Sequence, residues 1–454
     1  MTTEQIEESF VQDFKTRIER REHRVGIIGL GYVGLPLALL YVDQKTRVTG
    51  FDIDQRKVDT LMNGGSYIFR IAKEEIQGAR QRGFAATVDY SRISAMDAVI
   101  ICVPTPLNEY QAPDLSFIES TAHAVAPHLR PGQLIILEST SYPGTTEEVL
   151  VPILERENPL GLKAARSNSP CDPTKEFLVA FSPEREDPGN TTIARHDIPK
   201  VIGGLCPDAT EMAAALYGTI FRRTVPVSAP AVAEMTKLLE NIYRCVNIAL
   251  VNELKLLCLR MGIDIWEVIA AASTKPFGFQ PFYPGPGLGG HCIPVDPFYL
   301  SWKAKEWDFH TRFIELAGEI NSSMPYHVVE SVVAALSQKR KALNGSTILV
   351  LGLAYKKDID DLRESPSLTI IELLKSGGAT VDYNDPYFPT VGKGRKYDLN
   401  MRSVGLEHVK EYDCVLIVTD HSDYDYAHIV NEAQLVVDTR NATKGMRSPN
   451  LVRC

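Results

Sequence analysis

Arg24-Val25-Gly26-Ile27-Ile28-Gly29-Leu30-Gly31-Tyr32-Val33-Gly34 reads as a strand running into a G-x-G-x-x-G turn. An apolar helix follows over 35–42, and a second strand over 48–52 ends in Asp52. Three glycines alone are a weak signal. The strand before them, the helix after them and the acid beyond make them a dinucleotide fingerprint. The glycines let a pyrophosphate reach the helix N-terminus, and Asp52 accepts hydrogen bonds from a ribose diol. An Asp there repels a 2′-phosphate, so the pattern favours NAD over NADP.

Outward from this turn the alternation continues, with strands at 98–103, 134–137 and 177–182 and helices at 117–129 and 145–156. Units of this length build a parallel, doubly wound sheet whose ligands sit beyond the C-terminal strand ends. Thr105, Thr140 and Glu184 fall at such ends. A threonine there can equally be a helix cap, and a strand-end Glu can simply be solvated. Residues 157–176 show no periodicity and read as a mobile insertion. Upstream, Ile6, Phe10, Phe14 and Ile18 recur at four-residue spacing, which predicts a short amphipathic helix docked on the rest of the chain.

No internal Pro or Gly interrupts the run from Pro230 to Met261, which predicts one helix of about 45 Å at ~1.5 Å per residue. Lys237, Asn241 and Arg244 share a face of it among Met235, Leu238, Leu239, Ile242 and Val246, so part of that face meets a crevice or a partner. Such a helix is also a natural dimer element. A helical stretch follows from about 303 to 338, and a second strand-turn-helix start opens at Thr347. Its helix covers 368–375 and its further strands 379–383, 414–418 and 435–437. Only Gly352 remains of the glycine motif, and Lys356, Lys357 and Arg363 stand in its place. Cations suit the compact pyrophosphate of a sugar nucleotide better than a dinucleotide, although the same residues would also make an exposed basic turn. The fold class is therefore α/β, with two Rossmann-like doubly wound parallel-sheet domains joined by a long central helix. The divisions are an N-terminal amphipathic extension (1–23), an NAD-binding domain (24–228), a central helical dimerisation and active-site domain (229–338) and a Rossmann-like sugar-nucleotide-binding domain (339–454).

At 454 residues the chain exceeds a single core, since domains hold ~100–200 residues. A hydrophobic content of 44% with 23% charged residues is that of a globular protein, and the net charge of −9 argues against a nucleic-acid surface. No apolar run approaches the ~20 residues of a membrane span, and no signal-peptide pattern opens the chain, so a cytoplasmic location is expected. The eight cysteines show no C-x-x-C spacing, which disfavours zinc and a disulfide framework, and no metal is expected.

One cysteine differs from the others. Pro284-Gly285-Pro286-Gly287-Leu288-Gly289-Gly290-His291-Cys292-Ile293-Pro294-Val295-Asp296 is too rich in Gly and Pro for helix or strand. A thiol in such an open loop can attack a carbonyl. The same loop would also suit a tight turn around a buried Cys.

Seven motifs occur in order: Gly29-Leu30-Gly31-Tyr32-Val33-Gly34, Val103-Pro104-Thr105-Pro106, Glu138-Ser139-Thr140, Ser182-Pro183-Glu184-Arg185, the run 233–241 containing Lys237 and Asn241, Gly289-Gly290-His291-Cys292-Ile293-Pro294-Val295-Asp296, and the run 356–366. Together they resemble the UDP-glucose/GDP-mannose dehydrogenase family. The resemblance implies oxidation of a sugar-nucleotide C6 alcohol to a carboxylate by two NAD in turn, with no release of aldehyde. It makes Cys292 the nucleophile, carrying a thiohemiacetal and then a thioester. Asp296 handles protons through a water, Lys237 stabilises the oxyanion beside Asn241, and Glu184 with Thr140 orients the hydrolytic water. The cofactor set it implies is Gly29, Gly31, Tyr32, Val33, Gly34, Asp52, Lys57, Thr105, Thr140 and Arg363. Glu184, Lys237, Asn241, Gly289 and Lys356 would meet the sugar nucleotide.

Two departures bear on the substrate. The loop 277–287 lacks the Arg that many relatives supply from a neighbouring subunit, and Ser182-Pro183-Glu184-Arg185-Glu186 continues to Pro188-Gly189-Asn190 where UDP-glucose enzymes carry another acid. Both resemble the branch acting on UDP-N-acetylhexosamines, with UDP-N-acetylglucosamine the favoured substrate and UDP-glucose the alternative. The resemblance implies polysaccharide biosynthesis, and the long central helix points to a homodimer or higher homo-oligomer. A two-electron dehydrogenase and a catalytically silent nucleotide-sugar-binding scaffold are the competing readings.

Overall fold

The structure, a computed structural model, describes residues 3–68, 71–108, 112–166, 170–187, 192–290, 293–394 and 397–454. The chain divides into two compact units, Met1–Glu240 with Trp302–Trp307, and Asn241–Ser301 with Asp308–Cys454. Among the described residues no helix is long and apolar enough to cross a membrane.

The first unit holds β1 (Arg24–Ile28), β2 (Arg47–Phe51), β3 (Phe84–Thr87), β4 (Ala98–Ile101), β5 (Leu134–Leu137), β6 (Lys163–Ala164), β7 (Glu176–Phe181), β8 (Lys200–Gly204) and β9 (Thr224–Val227). They line up as β3-β2-β1-β4-β5-β7-β8-β9, with β6 on β7. Every pairing is parallel except β7 with β8. Runs such as Ala98-Val99-Ile100-Ile101 and Leu134-Ile135-Ile136-Leu137 are fully buried, as strands covered on both faces must be. The N-terminal helix, Thr3–Glu19, forms as its spacing predicts, and its Phe14 and Ile18 are buried in the core of this sheet.

The expectation of a mobile insertion at 157–176 is overturned for the described residues. Asn158 is buried, donates to the Leu154 and Leu162 carbonyls and accepts from the Leu162 N–H, so one side chain closes the turn. Glu155 then takes the Ala164 N–H, and β6 adds to β7 in register. Order here comes from side chain to backbone bonds, which leave no hydrophobic period to read.

The helix Pro230–Met261 matches its prediction, with Pro230 at the first helical position and Gly262 (φ +69°) just beyond the last. The expected helical stretch at 303–338 is two helices, Asp296–Ala304 and Arg312–Gln338, and the first begins earlier than predicted because Asp296 lies in its first turn.

In the second unit, β10 (Thr347–Leu351), β11 (Thr380–Asn384), β14 (Cys414–Ile417), β15 (Val436–Asp438) and β16 (Leu451–Arg453) form a parallel sheet ordered β11-β10-β14-β15-β16. β12 (Thr390–Lys393) and β13 (Asp398–Arg402) form a separate hairpin. Alternate residues of β10 serve two cores: Ile348 and Val350 pack with Val328, Val332, Leu368 and Ile371, and Leu349 and Leu351 with Ile429 and Val430. Both faces are thus covered, which is the doubly wound arrangement.

Candidate active site

The glycine turn after β1 divides its labour. A Cβ on Gly29 (φ +89°) would stand 2.4 Å from the Cys102 carbonyl oxygen, and one on Gly34 would stand 2.0 Å from that of Gly29. One on Gly31 would meet nothing within 4 Å. The first and third glycines are required by the fold, while the second leaves an open cradle that fits a dinucleotide pyrophosphate. Asp52 closes β2 and is buried. Its carboxylate takes the Leu30 N–H at 3.0 Å, the Asp54 N–H at 3.0 Å and Lys57 Nζ at 3.3 Å, so it also holds the glycine turn in place. Tyr32 is exposed beside this turn and Val33 half-buried. Thr105 is buried beyond β4, and the Ser139 hydroxyl accepts the Val103 N–H at 2.9 Å, tying the β4 end to the Glu138-Ser139-Thr140 segment. Thr140 is half-buried there.

Beyond β7, Glu184 Oε1 accepts the backbone N–H groups of Arg185 (2.8 Å) and Glu186 (2.7 Å). Its Oε2 is buried and makes no hydrogen bond among the described residues. Burial alone would raise this carboxyl, but the charges of Lys200, Arg195 and Lys237 outweigh it and hold Glu184 below the usual carboxylate range. Lys237 is itself buried, on the long helix. The first unit therefore brings Glu184 and Lys237 together.

In the second unit Asn241 Nδ2 donates to Asp296 Oδ2 at 2.6 Å, both side chains being buried. Gly289 packs so closely that a Cβ would stand 2.3 Å from that of Tyr355, and Gly290 N–H bonds the Arg363 carbonyl at 2.8 Å. The loop before the expected nucleophile is thus fastened to the segment carrying Lys356 and Arg363. The Arg363 guanidinium pairs with Asp361 at 2.7 Å, and Lys356 is half-buried. Cys292 and His291 lie outside the described residues. Burial pushes up the thiols of Cys102, Cys171, Cys206, Cys245, Cys414 and Cys454, which makes those six poor nucleophiles.

Two features escaped the sequence reading. Arg440 is half-buried just beyond the end of β15, donating to the Val418 carbonyl at 3.0 Å and standing against Gly285. The only hint was its place just after a predicted strand. Lys200 is buried between two carboxylates, and nothing in the sequence around it marked it out.

A mostly parallel sheet with an open glycine cradle and an acid, followed by a second sheet with cations at its strand ends, defines a dehydrogenase with a second nucleotide domain. The comparisons make that class specific. The NAD binding domain of the UDP-glucose/GDP-mannose dehydrogenase family matches residues 23–221, its central domain residues 231–323 and its UDP binding domain residues 349–445. The UDP-N-acetyl-D-glucosamine 6-dehydrogenase of Pseudomonas aeruginosa is 35% identical over 405 residues, 89% of this chain and 92% of that one. The UDP-N-acetyl-D-mannosamine dehydrogenase of Escherichia coli K12 is 34% identical over 435 residues, 92% of this chain and 98% of that one. A solved UDP-D-ManNAc dehydrogenase from Pyrococcus horikoshii superposes with a TM-score of 0.84 at 31% identity, covering 95% of this chain and 98% of that one. The chain belongs to the UDP-glucose/GDP-mannose dehydrogenase family. It is an NAD-dependent UDP-sugar dehydrogenase.

Proposed function

We propose that the protein oxidises the C6 alcohol of a UDP-N-acetylhexosamine, UDP-N-acetylglucosamine before its epimers, to the uronic acid in one four-electron sequence. NAD, which the Gly29–Gly34 turn and Asp52 would hold, would supply the hydride acceptor for each of the two oxidations of that carbon. The alcohol loses the first hydride and a proton to give an aldehyde. Cys292 adds to the aldehyde as a thiolate, and the resulting thiohemiacetal can lose a second hydride where a free carbonyl cannot. Water then cleaves the thioester, releasing the carboxylate and the thiol. Asp296, held by Asn241, moves protons through a water in the first step. Lys237 stabilises the developing oxyanion, a role whose loss typically costs ~3–4 kcal/mol of barrier.

The observation that carries the four-electron reading is Glu184: a half-buried carboxylate kept charged, with one oxygen anchored and the other, buried, making no hydrogen bond among the described residues, is what activation of water requires and what a simple two-electron oxidation has no use for. The sugar class rests on the N-acetylhexosamine substrates named for the relatives, together with the loop 277–287 that lacks an Arg. Incubation with NAD and a panel of UDP-sugars, with product mass, tests it. Faster turnover of UDP-N-acetylglucosamine is expected, and faster turnover of UDP-glucose would contradict the assignment.

A homodimer is part of the same proposal. Tyr243, Leu250, Leu254, Leu257 and Met261 form an exposed apolar stripe along the second unit's part of the long helix. A stripe that size marks an association surface, and a second copy is the occupant that matches it face for face.

A further inference from the structure

We propose that Lys200, held by Glu138 and Tyr217, is a positioning residue that keeps Glu184 a carboxylate and leaves its second oxygen for the hydrolytic water. This rests on the reading of Glu184 as the group that activates water.

The sheet topology brings the lysine there. Ala180 pairs with Gly204 and Phe181 with Gly203, so the same register carried three residues further sets Glu184 opposite Lys200. Were β8 parallel to β7, its first residue would lie at the opposite edge of the sheet. Because it is antiparallel, Lys200 arrives where the β5 and β7 ends bring Glu138 and Glu184.

Lys200 is fully buried and its Nζ forms an ion pair with Glu138. Tyr217 Oη donates to the other Glu138 oxygen at 2.8 Å. The ammonium also lies over the rings of Tyr217 (5.0 Å) and Phe221 (5.4 Å). One carboxylate already neutralises one buried lysine, so a purely structural pair would be complete. A second carboxylate stands 3.7 Å away at Glu184 Oε2, too far for a hydrogen bond and close enough for strong attraction at a buried site. With Oε1 occupied by two backbone N–H groups, the lysine stabilises the charge without covering the oxygen that would take the water's proton.

Other charged or titratable groups face this cluster. Arg195, paired with Glu186, and Lys237 add positive charge, while Cys102 and Tyr41 stand near Glu138 as neutral groups whose protons burial retains. Burial raises the Glu138 carboxyl, whereas Glu184 is lowered, so the two acids are driven apart around one cation.

The test follows uronate release against pH in single-turnover reactions, with intact mass for the acyl adduct on Cys292. Lys200→Met in a Glu138→Gln background, and separately Lys200→Gln, should move the acidic limb upward by about 1–3 pH units and let the adduct accumulate at its acid side. Lys200→Arg should return the limb to its wild-type position. An unmoved limb in the neutral variants overturns the proposal, as does loss of folding in both, which would make the lysine a core element only. Glu184→Gln separates the two claims. If that variant hydrolyses its adduct normally, the reading of Glu184 fails; if it stalls while the Lys200 variants keep the wild-type limb, only the role of Lys200 fails.

Discussion

Gly31 and Gly34 belong to one motif but answer to different constraints. A methyl on Gly34 runs into a backbone oxygen 2.0 Å away, whereas one on Gly31 enters open space. Gly31→Ala should therefore melt like the wild type and lose at least about tenfold in NAD affinity by titration calorimetry. Gly34→Ala should lose about 1–3 kcal/mol of stability or more. Glu234 gives a second residue-scale case. It is buried and accepts the N–H groups of Gly144 (2.6 Å) and Thr146 (2.9 Å) on different oxygens, and burial pushes its carboxyl up to about 7 against the pull of those donors. A pKa raised in the folded state contributes stability that is complete below the ordinary value near ~4.3 and is lost as pH rises through about 7. Glu234→Gln should flatten that decline between about pH 5 and about pH 8 in denaturant titrations. It should also cost about 1–3 kcal/mol, because its amide nitrogen must face one of two N–H donors. The glycines, Asp52 and Glu184 could be read from the chain because each sits in a local pattern. Lys200 could not, since its partners are Glu138 and Glu184 on other strands and only the reversal of β8 joins them.

At the scale of elements, legibility followed the punctuation. Pro230 and Gly262 bracket the long helix, and both ends came out as read. The segment after Glu157 was misread because Asn158 and Glu155 order it through backbone bonds rather than a buried stripe. The apolar stripe of the long helix repeats at spacings of three, four and seven from Tyr243 to Met261, the helical spacing of a single face. Leu254→Glu with Leu257→Glu should halve the mass seen by analytical ultracentrifugation to that of the 50.4 kDa chain, and an unchanged mass would remove the proposed dimer face.

On the scale of the whole molecule the chain uses one sheet design twice, with its acids employed differently. Asp52 and Asp385 both end the second strand of their sheet and both hold the turn after the first strand. Asp385 is further committed to the Ala354 and Tyr387 N–H groups and to the buried His421, whose Nε2 lies 3.1 Å away. Its oxygens are thus engaged within the protein, and the family model that matches residues 349–445 is the UDP binding domain. The echo was visible in the sequence as a repeated strand-turn-helix start. The hairpin of β12 and β13 and the strand β16 were not, being short and paired only through the fold.

The four-electron claim is tested most directly by counting NADH formed per UDP-sugar consumed while weighing the product. Two NADH for each sugar converted to a uronic acid is the predicted result, whereas one NADH with accumulation of the aldehyde would contradict it.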